Sequence, residues 1–383
     1  MGKKDKINIE HTMFLPATKE QQFEAVSALI AERVKEKTKP GKLVQFLRIV
    51  ASLVSITFIG LLIWKMFLED KIQEHFTYEN VDKFSNIRSI GKEDLINELV
   101  DQMITTTKWI QTENPTDLKK IFDETNFSFL LYGPPGTGKT IFAKEVAYRY
   151  NLALKKLHMQ KTNEQDFNRA KNTPDFEKYV NSYVKSRVNY LTVYPSMILD
   201  KYVGESSKNV KRLFSSLSKN ISDEKEGSIA LFDEGDALFY SRDRALMQTS
   251  DNSMAIQSEF LSNLSQQKKT FQPLFVFVTT NFANRLDPAF LRRLGKKIKF
   301  ELPTLEERKK LIRHIWNELK IKYTEKNITE LAEATKGTSH SFISKTLKEF
   351  TVLDKNRPVA IDFLFDECII HCKQENIKYE INC

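Results

Sequence analysis

Apolar positions along this chain follow three patterns: an unbroken run, a helical period and short strand-length blocks. From Ile49 to Trp64 the chain reads IVASLVSITFIGLLIW, sixteen residues without a charge. At ~1.5 Å rise they reach about 24 Å, short of a ~30 Å hydrocarbon core. Continuing past Lys65 through Met66, Phe67 and Leu68 closes the gap. Lys65 can snorkel and Trp64 suits the interface, so the pattern predicts a membrane-spanning helix over 49–68. Before it, Phe23, Val26, Ile30 and Val34 recur at helical spacing behind a Thr18/Gln21 capping pattern, and Lys39-Pro40-Gly41 breaks the run. The N-terminal tail with this amphipathic helix is residues 1–48.

After the apolar run, 69–126 reads as a polar linker entering a helical stretch near 92–110. Phe127–Tyr132, Tyr190–Val193, Ser228–Phe232 and Leu274–Thr279 are apolar blocks of strand length. Strands interleaved with helical patterns predict an α/β fold, a parallel sheet flanked by helices, over 127–303. Pro303 closes that unit. Thr304 with Glu307 opens a helical one over 304–383, with helices near 305–320, 328–336, 340–353 and 358–375.

Charge refines this picture. The net charge of +9 is concentrated in two segments. Residues 1–48 hold ten Lys/Arg against six Asp/Glu, and residues 155–187 hold eight against four. Such charge suits a solvated surface or an anionic membrane face ahead of nucleic acid, and no nucleic-acid partner is expected. The flanks of the apolar run give conflicting orientations. Six bases from Arg33 to Arg48 would hold the N-terminus in the cytosol, while the chemistry read below for the residues after the run favours the cytosol, or a mitochondrial compartment, on their own side. The second argument is preferred. Cys368, Cys372 and Cys383 make no disulfide framework, and Cys368, His371 and Cys372 lack a nearby fourth metal ligand.

The strongest chemical signal is Gly133-Pro134-Pro135-Gly136-Thr137-Gly138-Lys139-Thr140, a complete G-x-x-x-x-G-K-[ST] after a strand and before a helix. Glycines let successive N–H groups turn inward onto phosphate oxygens, and the helix adds its positive end. Lys139 then reaches the β- and γ-phosphates of ATP, and Thr140 ligates Mg²⁺. The block Ile229-Ala-Leu-Phe-Asp233-Glu234 ends a strand in two acids. Asp233 is the second expected Mg²⁺ ligand, and Glu234 the base that polarises the attacking water. Asp236 reads as a cap.

With both motifs in place, the chain from about Asn86 to Glu375 resembles an AAA ATPase, GPPGTGKT and LFDEGDALF being close to the AAA forms. The resemblance implies an ATP hydrolase working as a homo-hexamer. Val276-Phe-Val-Thr-Thr-Asn281 resembles the sensor-1 strand, with Asn281 placing the water. Leu286-Asp-Pro-Ala-Phe-Leu-Arg292-Arg293 resembles the arginine-finger segment, with both arginines reaching a neighbour's nucleotide. Lys201-Tyr202-Val203-Gly204-Glu205-Ser206 resembles the pore loop of the katanin, spastin and outer-membrane extractase subgroup. Tyr202 and Val203 would there grip an extended polypeptide. Asp251–Leu264 and the single anchored module are similar to the extractases, which remove mislocalised tail-anchored proteins. That similarity implies a role in protein quality control on a mitochondrial outer or peroxisomal membrane, with the ATPase domain in the cytosol.

The chain also departs from that pattern. Sixty residues separate Thr140 from Lys201, about twice the usual number, so 155–187 reads as a basic insertion. Gly337-Thr-Ser339-His340-Ser-Phe342 replaces the usual glycine and acid of the sensor-2 region, which leaves the lid's nucleotide contact open. Lys296-Lys297 replaces the commoner Lys-Arg or Arg-Arg, and the N-terminal tail is longer and more basic than usual. A membrane-bound AAA protease would need H-E-x-x-H, which is absent. A spastin-like microtubule-severing enzyme would need a basic tubulin-binding linker, and 69–126 is not notably basic. A non-hydrolysing scaffold would not need Lys139, Asp233, Glu234 and Arg292 together.

Overall fold

The computed structural model describes residues 50, 54, 57–58, 60, 76–112, 127–202, 204–221, 225–239, 247–270 and 272–353. The predicted membrane span lies almost wholly outside them, as do the amphipathic helix, the helix near 358–375, Val203 and the three cysteines. Among the described residues, no helix is long and apolar enough to cross a membrane. Contacts divide the chain into 1–74 and 75–383, and every element below belongs to the second unit.

That unit begins with helix α1 (Glu93–Thr112) and strand β1 (Ser128–Tyr132). Then come α2 (Lys139–Thr162), α3 (Glu164–Ala170), α4 (Phe176–Tyr183), β2 (Val188–Val193), α5 (Pro195–Ile198) and α6 (Glu205–Lys219). Next are β3 (Gly227–Phe232), α7 (Met247–Thr270), β4 (Leu274–Thr280), α8 (Pro288–Arg293) and β5 (Lys296–Lys299). Helices α9 (Leu305–Glu318), α10 (Glu325–Ala334) and α11 (His340–Leu353) follow. The five strands form one parallel sheet in the order β2-β3-β4-β1-β5.

The four predicted strands are present, because each is apolar on both faces and the sheet is buried on both. Phe129, Leu131, Ile229, Leu231, Phe275 and Phe277 point to one face, where α1 and α2 cover them. Leu130, Ala230, Phe232, Val276 and Val278 point to the other, beneath α6 and α7. Fully burying one such Leu, Ile or Phe contributes about 1.5–3 kcal/mol. β5 was not predicted. Its sequence, Lys-Lys-Ile-Lys, holds one buried residue, Ile298, and it is a strand because its backbone pairs with β1 from Phe129 to Tyr132.

The basic segment 155–187 is the end of α2, then α3 and α4. Lys161, Arg169, Lys171, Lys178 and Lys185 are exposed, as a solvated basic surface requires, while the bases at its two ends are drawn into ion pairs. Lys155 is fully buried and bonds Asp82 at 2.8 Å and Asn181 at 3.1 Å. Arg187 pairs with Glu226 at 2.7 Å, and Lys156 with Glu177 at 3.5 Å.

Among the described residues the lid has three helices, with their own core of Leu311, Ile312, Ile315, Trp316, Ile328, Leu331 and Leu347. Thr304 and Glu307 form the predicted capping box of α9. Buried Arg308 ties the lid to the sheet domain's exit, donating to the Pro303 and Ala332 carbonyls at 2.7 Å each.

Candidate nucleotide site

Parallel strands deliver their carboxyl ends to one edge, and there the sequence motifs meet. Tyr132 of β1 stands opposite Thr280 of β4, and Phe232 of β3 opposite Val278. Gly133 therefore leaves the sheet beside the end of β4, its N–H donating to the Thr280 carbonyl at 3.3 Å. Asp233 leaves beside Thr279.

Gly133 sits at φ +144° against the backbone of Phe300, and a Cβ there would collide with the Phe300 carbonyl. Only glycine fits. Gly136 (φ +73°) faces the lid, where a Cβ would come within 2.6 Å of Ser339 Oγ. The chain then enters α2 at Lys139, with Gly138 as N-cap and no side chain capping the first turn. Those free N–H groups and the helix dipole face the loop's interior, the arrangement that receives phosphate.

Lys139 is buried, and its ammonium donates to the Gly133 and Pro134 carbonyls at 2.9 and 2.8 Å. Burial lowers its pKa to about 8, against an opposing pull from the Asp233 and Asp236 carboxylates. Thr140 donates its hydroxyl to both Asp233 carboxylate oxygens at 3.2 Å. Thr279 donates to Asp233 Oδ1 at 2.5 Å, and the Glu234 N–H donates to Thr279 Oγ1 at 3.2 Å. Thr140 and Asp233, the two predicted Mg²⁺ ligands, are thus held in contact, a hydroxyl and a carboxylate beside a phosphate loop. That oxygen donor set is the one Mg²⁺ takes alongside phosphates.

Glu234 adopts the left-handed backbone, φ 55° and ψ 45°, a conformation unfavourable for a residue with a Cβ. It lines the cavity with Asp233, Thr279, Thr280 and Asn281. Asp236 is not the cap of a long helix. It accepts a hydrogen bond from Thr280 Oγ1 at 3.0 Å and lies in the middle of a short 3-10 turn, Gly235–Ala237.

Together these residues line one cavity of about 530 Å³, with Pro135 to Ile141 on its floor. Sequence reasoning missed two of its walls. One is the stretch from Asn86 to Lys92, read as linker and start of the module but given no role in the site. Its Ser89 N–H donates to buried Glu145 of α2 at 2.5 Å, and Arg149 holds the same carboxylate at 2.6 Å. The other is the lid, with Leu311, His314, Ile315, His340, Ser341 and Ser344. The Ser341 N–H donates to the Gly136 carbonyl at 3.0 Å, so the lid touches the phosphate loop directly.

Arg292 and Arg293 do not join this cavity. They end α8, exposed, with no acidic partner among the described residues. α8 itself is firmly seated. Asp287 caps it, accepting from the Ala289 and Phe290 N–H groups at 2.7 and 3.2 Å. Phe290 is fully buried and stacks on Phe239 at 4.2 Å between ring centres. Tyr202 lies elsewhere again, 76% exposed in the loop between α5 and α6. Gly204 (φ +82°) turns the chain from that loop into α6.

The family model of the ATPase family associated with various cellular activities (AAA) matches residues 129–302. The chain is 28% identical over 262 residues to Cell division protein C of Sulfolobus acidocaldarius, covering 66% of this chain and 59% of that protein. It is 28% identical to Danio rerio spastin over 221 residues, 57% of this chain and 31% of spastin. It is also 28% identical to the Dictyostelium discoideum Vacuolar protein sorting-associated protein 4 over 245 residues, 64% of this chain and 44% of that one. The match thus spans between about a third and three fifths of these relatives' lengths. In structure, a chain of the solved E. coli MS115-1 HORMA:CdnC:Trip13 complex superposes with a TM-score of 0.56 at 16% identity, covering 75% of this chain and 90% of that one, a likeness of fold alone. The AAA family model thus matches the segment that carries the phosphate loop, Asp233, Glu234, Asn281 and both arginines, and the curated relatives named above are similar to the chain over stretches longer than that segment.

Proposed function

We propose that this chain couples ATP hydrolysis to threading of polypeptide substrates through a homo-hexameric ring, and that it extracts membrane proteins while anchored by residues 49–68. In the site, Lys139 and the loop N–H groups hold the β- and γ-phosphates, while Thr140 and Asp233 hold Mg²⁺. When bound, the metal neutralises charge on the phosphates. Glu234 takes a proton from the attacking water, and Asn281 orients that water. Arg292 and Arg293, exposed and with no acidic partner among the described residues, stabilise charge on the nucleotide of the next subunit. Such arginines leave each active site incomplete until subunits assemble.

The observation that carries the threading step is Tyr202, at 76% the most exposed large aromatic among the described residues. An aromatic can pack between the side chains of any extended sequence, which suits a grip without sequence preference. The similarity to spastin and Vacuolar protein sorting-associated protein 4 supports ATP-driven remodelling at large. The apolar run at 49–68, whose one charge is Lys65, favours extraction of tail-anchored proteins, from a mitochondrial outer or peroxisomal membrane, over microtubule severing.

Substrate trapping tests this. A Glu234→Gln full chain, cross-linked in cells and purified in detergent, is expected to retain tail-anchored membrane proteins. Recovery of tubulin without membrane proteins would favour the severing reading, and recovery of neither would remove the threading assignment.

A further inference from the structure

The turn that follows β3 is pressed against β4. Gly235 packs so closely that a Cβ there would come within 2.5 Å of Val278 Cγ1 and 3.0 Å of the Thr279 carbonyl oxygen. Only a residue without a side chain permits that approach. Glu234, one position earlier, is bent into the left-handed region at φ 55° and ψ 45°, which disfavours a residue with a Cβ. Such a backbone persists only where its surroundings hold it.

Thr279 supplies that hold. Its side chain is 2% exposed and makes two hydrogen bonds at once. The hydroxyl oxygen accepts the Glu234 N–H at 3.2 Å, and the hydroxyl proton is donated to Asp233 Oδ1 at 2.5 Å. One hydroxyl can serve both, having a proton to give and lone pairs to receive with. The next residue, Thr280, is committed elsewhere. It donates to Asp236 at 3.0 Å and accepts the Phe282 N–H at 2.9 Å. The backbone of Glu234 and the carboxylate of Asp233 are therefore tied together through a single atom of β4.

We propose that Thr279 is a positioning residue for hydrolysis, its hydroxyl fixing the strained Glu234 backbone, and so the direction of the base, relative to Asp233. This deepens the ATP-site reading above and rests on it. Thr279 acts through the two acids and is not itself a catalytic group.

Steady-state ATP hydrolysis by the full chain, with amide hydrogen exchange at Glu234 measured in the nucleotide-free protein, tests the assignment. Thr279→Val keeps the shape and removes the hydroxyl. Its kcat is expected to fall about tenfold or more, with KM for ATP within about threefold of wild type. Exchange at the Glu234 amide is expected to quicken. Thr279→Ser keeps the hydroxyl, and its kcat is expected to stay within about threefold of wild type. If the valine variant does not bind ADP, Thr279→Ala, which sets no methyl against the carboxylate, carries the same expectations. A wild-type kcat or unchanged Glu234 exchange without the hydroxyl would overturn the proposal. So would equal losses in the valine and serine variants, a loss confined to KM, or failure of both the valine and alanine variants to bind ADP, each of which would make Thr279 a structural residue. A wild-type chain that does not hydrolyse ATP would overturn the ATP-site reading itself, a failure distinct from these.

Discussion

Thr140 and Asp233, ninety-three positions apart, meet across the end of the sheet, the threonine hydroxyl 3.2 Å from each carboxylate oxygen. This contact joins the phosphate loop to the acidic strand end, and it sets the metal's place. Asp233→Asn keeps the shape but halves the carboxylate's acceptor capacity and removes its charge. Hydrolysis is expected to fall by about a hundredfold or more, with a raised Mg²⁺ requirement. Steady-state rates across a Mg²⁺ titration check this, and an unchanged Mg²⁺ dependence would clear Asp233 of metal binding.

Lys139 gives a proton linkage. Burial lowers its pKa to about 8 in the absence of nucleotide. Bound phosphate favours the charged ammonium and so raises that pKa. Between about pH 8 and 9.5, ATP binding is therefore expected to take up a proton, and affinity to weaken as pH rises through that window. Calorimetry in two buffers of different ionisation enthalpy reads the proton directly. Identical apparent enthalpies at pH 8.5 would contradict it.

The ion pair between Lys155 and Asp82 carries a stability prediction. Lys155 is fully buried, while Asp82 is partly exposed. Asp82→Ala strands a buried ammonium and is expected to cost about 3 kcal/mol in denaturant unfolding. Lys155→Met, which removes the charge and keeps the apolar stem, is expected to cost less than Asp82→Ala. The reverse order would mean that the pair is not what holds the short 3-10 helix Val81–Phe84, which carries Asp82, to α2.

Tyr202 separates stability from use. At 76% exposure, Tyr202→Ala is expected to change unfolding free energy by less than about 0.5 kcal/mol. Stimulation of ATP turnover by an unfolded polypeptide is expected to be lost. Stimulation equal to wild type would take Tyr202 out of the substrate path.

Much of this was legible before any coordinates. The four long strands announced themselves because both sheet faces are buried, so their residues are apolar without alternation. The phosphate loop and Asp233-Glu234 were legible because backbone turns and metal ligation demand particular residue types at fixed spacing. β5 was not, since Lys296, Lys297 and Lys299 carry no apolar signal and the strand exists through pairing with β1. The lid wall was not either. Ser341 meets Gly136 across some two hundred positions through a backbone N–H, which leaves no mark on residue type. The basic count at 155–187 was legible as an exposed surface, but composition does not reveal that Lys155 and Arg187 face Asp82 and Glu226 inside the fold.

The central claim is that this cavity hydrolyses ATP with Glu234 as the base. The most direct measurement is Mg²⁺-dependent ATP hydrolysis by the full chain and its Glu234→Gln variant, with ATP binding measured in parallel. The account predicts binding within a few fold of wild type and a hydrolysis rate lower by at least about a hundredfold. A variant that hydrolyses ATP at the wild-type rate would contradict it.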